Sequence, residues 1–67
     1  MPDFEVLHNG SISLFTAMNE RSLKFAQSSI SLESWQWSGG FSFAVDHRYA
    51  GDLIEGLQND GFEVKEA

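Results

Sequence analysis

The chain has 67 residues, no cysteine, one proline, 42% hydrophobic residues and a formal charge of −6 at pH 7. This length allows one small domain over residues 1–67 and excludes two-domain enzymes, dinucleotide-binding folds and TIM barrels. Without cysteine the chain has no disulfide bonds and no thiolate ligands for a metal, and its hydrophobic content is too high for an intrinsically disordered protein.

The first predicted element is a β-hairpin with Asn9-Gly10 at its turn. Asn-Gly readily adopts the two positive φ angles of a type I′ turn, and apolar-rich stretches flank it on both sides. The expected register pairs His8 with Ser11, Leu7 with Ile12, and Phe4 with Phe15. Both faces of this hairpin then carry apolar groups, so we expect partial cover on each face.

A helix is predicted next, with Asn19 as its N-cap. Glu20 lies in the first turn, where a negative charge complements the helix dipole, and it is spaced to pair with Lys24. Met18 and Leu23 have the spacing of a hydrophobic staple. The expected apolar face consists of Leu23, Ala26 and Ile30. A serine cluster is expected to end the helix: Ser28, Ser29 and Ser31.

Two alternating stretches, residues 35–38 and 41–45, flank Gly39-Gly40 and predict a second hairpin with a two-residue glycine turn. In that register two tryptophans share one face with two small residues: Trp35, Trp37, Ser42 and Ala44. The residues expected on the other face are Gln36, Phe41, Phe43 and Val45. An irregular loop followed by a single strand is the alternative, because glycine pairs also form bulges.

A second helix is predicted from an N-cap at Asp46 to about Asp60, with Gly61 as the C′ residue. Its apolar stripe consists of Tyr49, Ala50, Leu53, Ile54 and Leu57. Its opposite, polar side consists of Arg48, Asp52, Glu55 and Asn59, with Arg48 spaced to pair with Asp52. Gly51 and Gly56 each cost the helix about 1 kcal/mol relative to alanine, so we interpret them as sites of close packing against the sheet or a partner.

The last predicted element is a short strand over residues 62–65, with Phe62 and Val64 pointing inward. No linker, repeat or low-complexity segment divides the chain. The element order is therefore β-β-α-β-β-α-β, which predicts a small single α+β domain with an antiparallel-rich sheet and two helices.

The residues that would support catalysis or metal binding lack the required spacing. His8 and His47 are the only imidazoles and match no zinc-site signature, so we expect two ordinary surface residues. No serine lies in a G-x-S-x-G motif, and Asp52 and Glu55 are best explained as a solvated helix face. We therefore expect no enzyme activity, no metal and no cofactor.

The excess of acidic over basic residues limits the kinds of molecule that the protein can bind. Ten acidic residues face four basic ones, which excludes direct binding of nucleic acid or of an anionic membrane. The chain has no apolar run long enough to span a membrane and no signal-peptide features, so we expect a cytoplasmic protein. Trp35 and Trp37, if exposed, would form a flat aromatic surface suited to binding a protein; the alternative is that at least one of them covers the core.

Several short segments between Trp35 and Val64 carry a resemblance. They are Trp35-Gln36-Trp37-Ser38-Gly39-Gly40, Val45-Asp46-His47-Arg48-Tyr49, Asp52-Leu53-Ile54-Glu55-Gly56-Leu57 and Asp60-Gly61-Phe62-Glu63-Val64. This pattern resembles small uncharacterised proteins carried by bacteria, prophages and plasmids. The resemblance implies a mobile-element context, in which small acidic proteins are often inhibitors, including anti-CRISPR proteins that occupy nucleic-acid sites on the effector complex. It brings no active-site motif.

These observations together predict a non-catalytic protein that docks an acidic surface on a partner protein with a basic nucleic-acid-binding surface. The residues expected to bind the partner are Asp52, Glu55, Asp60, Glu63, Glu66, Trp35 and Trp37. The alternative is a structural or accessory domain that acts by self-association, as a homodimer, through the aromatic strand face or a sheet edge.

Overall fold

The computed structural model describes residues 1–29, 37–38 and 40–66, and for Trp37 and Ser38 it describes the backbone. In chain order the elements are β1 (Phe4–Asn9), β2 (Ile12–Ala17), α1 (Glu20–Ser29), β3 (Trp37–Ser38), β4 (Ser42–Asp46), α2 (His47–Asn59) and β5 (Val64–Glu66). The predicted α+β class and the order β-β-α-β-β-α-β are confirmed. The predictions made for Ile30, Ser31, Trp35, Gln36 and Gly39 lie outside the described residues.

The strands form one five-stranded sheet with the order β3-β4-β2-β1-β5. Neighbouring strands are antiparallel except for β1 and β5, which are parallel. It follows from these pairings that β4 and β5 run in the same direction with two strands between them. Parallel strands need a long crossover connection, and α2 provides it.

The turn between β1 and β2 differs from the predicted one. Asn9 lies opposite Ile12, so the loop consists of Gly10 and Ser11. Gly10 has a φ of 64°, and no non-glycine residue in the described ranges has a positive φ, which matches a type II′ turn with glycine first and not a type I′ turn. The predicted register is wrong by two residues, because His8 lies opposite Ser13 and not opposite Ser11. Since side chains alternate with a period of two, this shift leaves every residue on its predicted face.

The hydrophobic core lies between one face of the sheet and the two helices. Its buried residues are Phe4, Val6, Phe15, Ala17, Ala26, Phe43, Ala50, Ile54, Leu57 and Phe62. Phe15 and Phe43 lie opposite each other on β2 and β4 and stack with ring centroids 5.4 Å apart. On the other face, Leu7 and Ile12 remain 53% and 48% exposed. That face therefore has only partial cover from the described part of the chain.

α1 begins where its capping residue predicts. Asn19 Oδ1 accepts hydrogen bonds from the backbone N–H and the hydroxyl of Ser22, each at 2.8 Å, so the predicted N-cap is confirmed. The predicted pair of Glu20 and Lys24 is also present, at 3.2 Å. The sequence analysis did not single out Phe25, whose ring centroid lies 4.7 Å from that of Phe62 and which joins α1 to the segment between α2 and β5.

Both predicted ends of α2 are confirmed. Asp46 accepts a 2.9 Å hydrogen bond from the backbone N–H of Arg48 at the N-terminus. At the C-terminus the N–H groups of Gly61 and Phe62 donate to the carbonyls of Gln58 and Leu57, each at 3.0 Å. This pair of bonds is a Schellman motif, in which Gly61 takes the left-handed conformation with a φ of 89°.

Two predictions about the sides of α2 are wrong, and one alternative of a third is excluded. Tyr49 is 58% exposed, because its position lies at the margin of the buried stripe formed by the other apolar residues. Arg48 pairs with the capping carboxylate of Asp46, at 3.1 Å, and not with Asp52. A Cβ placed on Gly51 or Gly56 would meet no described atom within 4 Å, so these glycines do not serve close packing against the sheet. Close packing against a partner, the other role predicted for them, stays a prediction.

The register of the second hairpin is also wrong, by one residue. Trp37 lies opposite Phe43 and Ser38 opposite Ser42, which leaves a three-residue loop instead of a two-residue glycine turn. The prediction that Trp37 shares a face with Ser42 and Ala44 is therefore wrong, because Trp37 pairs with Phe43, the residue between them. Phe41 lies in this loop and is 61% exposed, whereas the prediction placed it in the strand.

Candidate functional site

The outer face of α2 carries the first two predicted binding residues. Asp52 and Glu55 are exposed and three residues apart, so their side chains lie on one side of the helix. Ala50, Ile54 and Leu57 hold the opposite side of the helix in the core. The buried stripe therefore fixes the direction in which the two carboxylates project, away from the sheet.

Two further predicted residues follow the helix. Asp60 is the exposed C-cap, and its backbone N–H donates to the carbonyl of Gly56 at 3.1 Å. Glu63 is exposed, and its backbone is held on both sides by Asp3, whose N–H donates to the Glu63 carbonyl and whose carboxylate accepts from the Glu63 N–H, each at 2.8 Å. These hydrogen bonds thus hold the backbone that carries the two carboxylates and do not engage the carboxylates themselves. We refer to Asp52, Glu55, Asp60 and Glu63 as the acidic surface.

The basic residues do not neutralise the acidic surface. Three of the four cations in the chain form ion pairs elsewhere: Arg21 with Asp3 at 3.8 Å, Lys24 with Glu20 at 3.2 Å, and Arg48 with Asp46 at 3.1 Å. Hydrogen bonds from Arg48 hold the pKa of Asp46 below its usual value and keep that pair charged. Within the described part of the chain no salt bridge reaches the four carboxylates of the acidic surface, so their negative potential is available to a partner.

Neither tryptophan is shown by the structure to join the acidic surface. Trp35 is outside the described residues, and so is the side chain of Trp37. The backbone of Trp37 belongs to β3, at one edge of the sheet, whereas Glu66 belongs to β5, at the opposite edge. The sheet order therefore separates the Trp37 backbone from the C-terminal acidic strand by three intervening strands.

Glu66, the fifth predicted carboxylate, belongs to a cluster that the sequence analysis missed. Its Oε1 lies 2.9 Å from His8 Nε2. Ser13 Oγ lies 2.8 Å from His8 Nδ1 and 3.2 Å from His47 Nδ1. The two imidazole rings meet edge to face, with centroids 5.2 Å apart. We refer to these four residues as the histidine cluster.

Both histidines are exposed, as predicted, but the sequence analysis did not predict that they lie in contact with each other and with Ser13 and Glu66. The two-residue shift in the hairpin register places Ser13 opposite His8, and the parallel pairing of β1 with β5 brings Glu66 beside them. His47 arrives from the first position of α2, where its backbone N–H donates to the Ser11 carbonyl at 2.8 Å. A correct register would have paired Ser13 with His8, but nothing local in the sequence indicates the other two contacts.

The histidine cluster has the hydrogen-bonding order of a serine–histidine–carboxylate triad. Ser13 is 0% exposed, so its hydroxyl has no free surface on which a substrate would be attacked. In the described ranges no group of three or more histidine, aspartate or glutamate side chains is placed to hold a metal ion. The arrangement is suited to sharing protons among its own members.

A shallow apolar groove of about 270 Å³ lies at the start of α1. Its walls include Met18 and Leu23, the two residues predicted to form a hydrophobic staple, together with the exposed ring of Phe41. Glu20 is the charged residue in its lining.

Comparison with known protein families, curated proteins and solved structures finds no match to this chain. Among the described residues, no helix combines the length and the hydropathy needed to cross a bilayer. The function must therefore be argued from the acidic surface and the histidine cluster themselves.

Proposed function

We propose that the protein is a non-catalytic binding protein whose acidic surface covers a basic nucleic-acid-binding site on a partner protein. The observation that carries this proposal is the set of exposed carboxylates on and after α2 that have no salt-bridge partner in the described chain. In the mobile-element context implied by the sequence resemblance, the partner would be a nucleic-acid-processing complex. The activity would be inhibition of the anti-CRISPR type.

Rigid placement of the carboxylates supports this proposal. Asp52 and Glu55 project from a helix that is capped at both ends, so their separation does not depend on a loop. Negative charge held in this way attracts a basic surface at a distance and accelerates association at low ionic strength. A nucleic-acid-binding site is the kind of surface that offers clustered lysine and arginine for such an encounter.

Charge reversal on α2 tests the proposal. The tagged protein is used to capture complexes from a bacterial lysate, and the amount captured is compared with that of the Asp52→Lys/Glu55→Lys variant at low and high salt. We expect the variant to capture at least about tenfold less, since it exchanges two attractive charges for two repulsive ones. Added nucleic acid should displace the captured complex from the wild-type protein.

A matched control has the same change of charge elsewhere. Glu5→Lys/Glu20→Lys alters two carboxylates on β1 and α1 and should capture nearly as much as the wild type. Equal losses in the two variants, or capture that neither salt nor nucleic acid affects, would contradict the proposal. Recovery of this chain alone would instead favour self-association through the half-exposed sheet face of Leu7 and Ile12, which sedimentation velocity of the purified protein would then show as a dimer.

A further inference from the structure

The histidine cluster joins four elements that are distant in sequence. His8 comes from β1, Ser13 from β2, His47 from the start of α2 and Glu66 from the end of β5. Ser13 is fully buried and its hydroxyl touches both imidazoles, at 2.8 and 3.2 Å. The positions of the protons in this cluster therefore determine whether a buried polar group is satisfied.

When both imidazoles are neutral, one arrangement of protons allows all the hydrogen bonds of the histidine cluster to form. An ionised Glu66 only accepts, so His8 carries its proton on Nε2 and presents Nδ1 as an acceptor. Ser13 has a single proton, which it donates to His8 Nδ1, and its oxygen accepts from the Nδ1–H of His47. The hydrogen bonds then run in one direction, from His47 through Ser13 and His8 to Glu66.

The cluster accommodates one added proton but not two. A proton on His47 Nε2 leaves the whole chain of hydrogen bonds intact. With both imidazoles charged, each Nδ1 is a donor, and the proton of the buried Ser13 hydroxyl has no acceptor left among the cluster. Two positive rings with centroids 5.2 Å apart also repel each other.

The nearest carboxylates favour a proton on either imidazole, so the opposition to a second proton comes from the buried Ser13 hydroxyl and from the repulsion between the two rings. Glu66 on β5 faces His8, and Asp46 at the end of β4 precedes His47 and interacts with it electrostatically. Asp46 is already engaged by Arg48 of α2 in a bidentate contact, at 3.2 and 3.1 Å. Ser13, from β2, is the uncharged member between the two rings.

We propose that His8, Ser13, His47 and Glu66 form a proton-sensitive latch between the β1–β2 hairpin and the start of α2. The latch is closed while no more than one imidazole is charged. It opens at mildly acidic pH, when both are charged and His47 separates from Ser13.

The first test measures the tautomers at neutral pH. Long-range ¹H–¹⁵N correlation of the imidazoles should show His8 protonated at Nε2 and His47 protonated at Nδ1. Opposite tautomers for the two histidines are required by the single shared hydroxyl proton. Finding His47 protonated at Nε2 in the neutral protein would overturn the proposed order of hydrogen bonds.

The second test measures the thermal midpoint of unfolding between about pH 7.5 and pH 5.5, the range in which imidazoles of an unfolded chain take up protons. The unfolded chain binds both protons and the closed latch binds one, so the wild type should lose stability as the pH falls. His47→Gln and His8→Gln each leave one titrating ring. Both variants should lose roughly 4 °C less than the wild type over this range. An equal fall in the thermal midpoint of the wild type and both variants would overturn the proposal of a latch.

Discussion

At the scale of single residues, Gly61 shows how one backbone conformation ends a helix and directs the chain into a strand. Its φ of 89° lies in the left-handed region, where a side chain is unfavourable. Because Gly61 adopts this conformation, Phe62 can donate its N–H back to Leu57 and place its ring in the core, 5.5 Å from that of Phe4. The glycine is therefore needed for its conformation and not for its size.

Replacing Gly61 by alanine measures the free-energy cost of the left-handed backbone conformation for a residue with a side chain. Gly61→Ala should destabilise the protein by about 1 kcal/mol or somewhat more, the usual cost of a left-handed conformation for an L-residue. An added Cβ meets no described atom within 4 Å, so no steric clash contributes. Urea denaturation measures the change. A variant as stable as the wild type would show that the helix end is not constrained to this conformation.

At the scale of the element, α2 forms despite two internal glycines. Gly51 and Gly56 are helical and exposed, and glycine is among the weakest helix formers. The helix is stabilised instead by its Asp46 cap, by the Schellman motif and by the burial of its apolar stripe, whose buried members are Ala50, Ile54 and Leu57. Tertiary packing thus outweighs the local preference of the glycines.

Alanine at these positions should therefore be stabilising. Gly51→Ala and Gly56→Ala should each raise the free energy of unfolding by about 0.5–1 kcal/mol, because alanine restricts the unfolded chain and fits the helical conformation without contact. Urea denaturation measures this change as well. Gly61→Ala serves as the control, because the same kind of substitution should there lower the free energy of unfolding. Destabilisation by either helical substitution would contradict this account of α2.

At the scale of the whole molecule, Asp3 connects the beginning of the chain to α1 and to the segment before β5. Its carboxylate accepts from the backbone N–H of Glu63 at 2.8 Å and from the side chain of Asn19 at 2.7 Å. Arg21 lies 3.8 Å away. The hydrogen bond from Glu63, followed by the one from Asn19, lowers the pKa of Asp3 below its ordinary value of 3.8.

This lowered pKa predicts how the protein responds to acid. A carboxyl group with a depressed pKa in the folded state stabilises that state above its unfolded value, and the contribution is lost as the pH falls through the folded value. Asp3→Asn should therefore be less stable than the wild type at pH 7, and the difference should shrink towards pH 3. Urea midpoints across this range measure it. A difference that stays constant with pH would mean that the charge of Asp3 contributes nothing.

The local sequence determined the order of the elements, the helix caps and the acidity of the C-terminal half, but not the exact bounds of the strands. Asn19, Asp46 and Gly61 act through hydrogen bonds to residues within four positions, so their roles follow from neighbouring residues alone. The acidic face of α2 was likewise predictable, because helical spacing alone separates it from the buried stripe.

Only the tertiary structure decided the strand registers and, with them, the histidine cluster. A two-residue shift in the hairpin retains every side chain on its face, so the apolar pattern is the same in both registers, yet it determines whether His8 meets Ser11 or Ser13. The contacts of His47 and Glu66 with these strands depend on the crossover of α2 and the pairing of β5 with β1. Such contacts join residues far apart in the chain, and no short-range pattern specifies them.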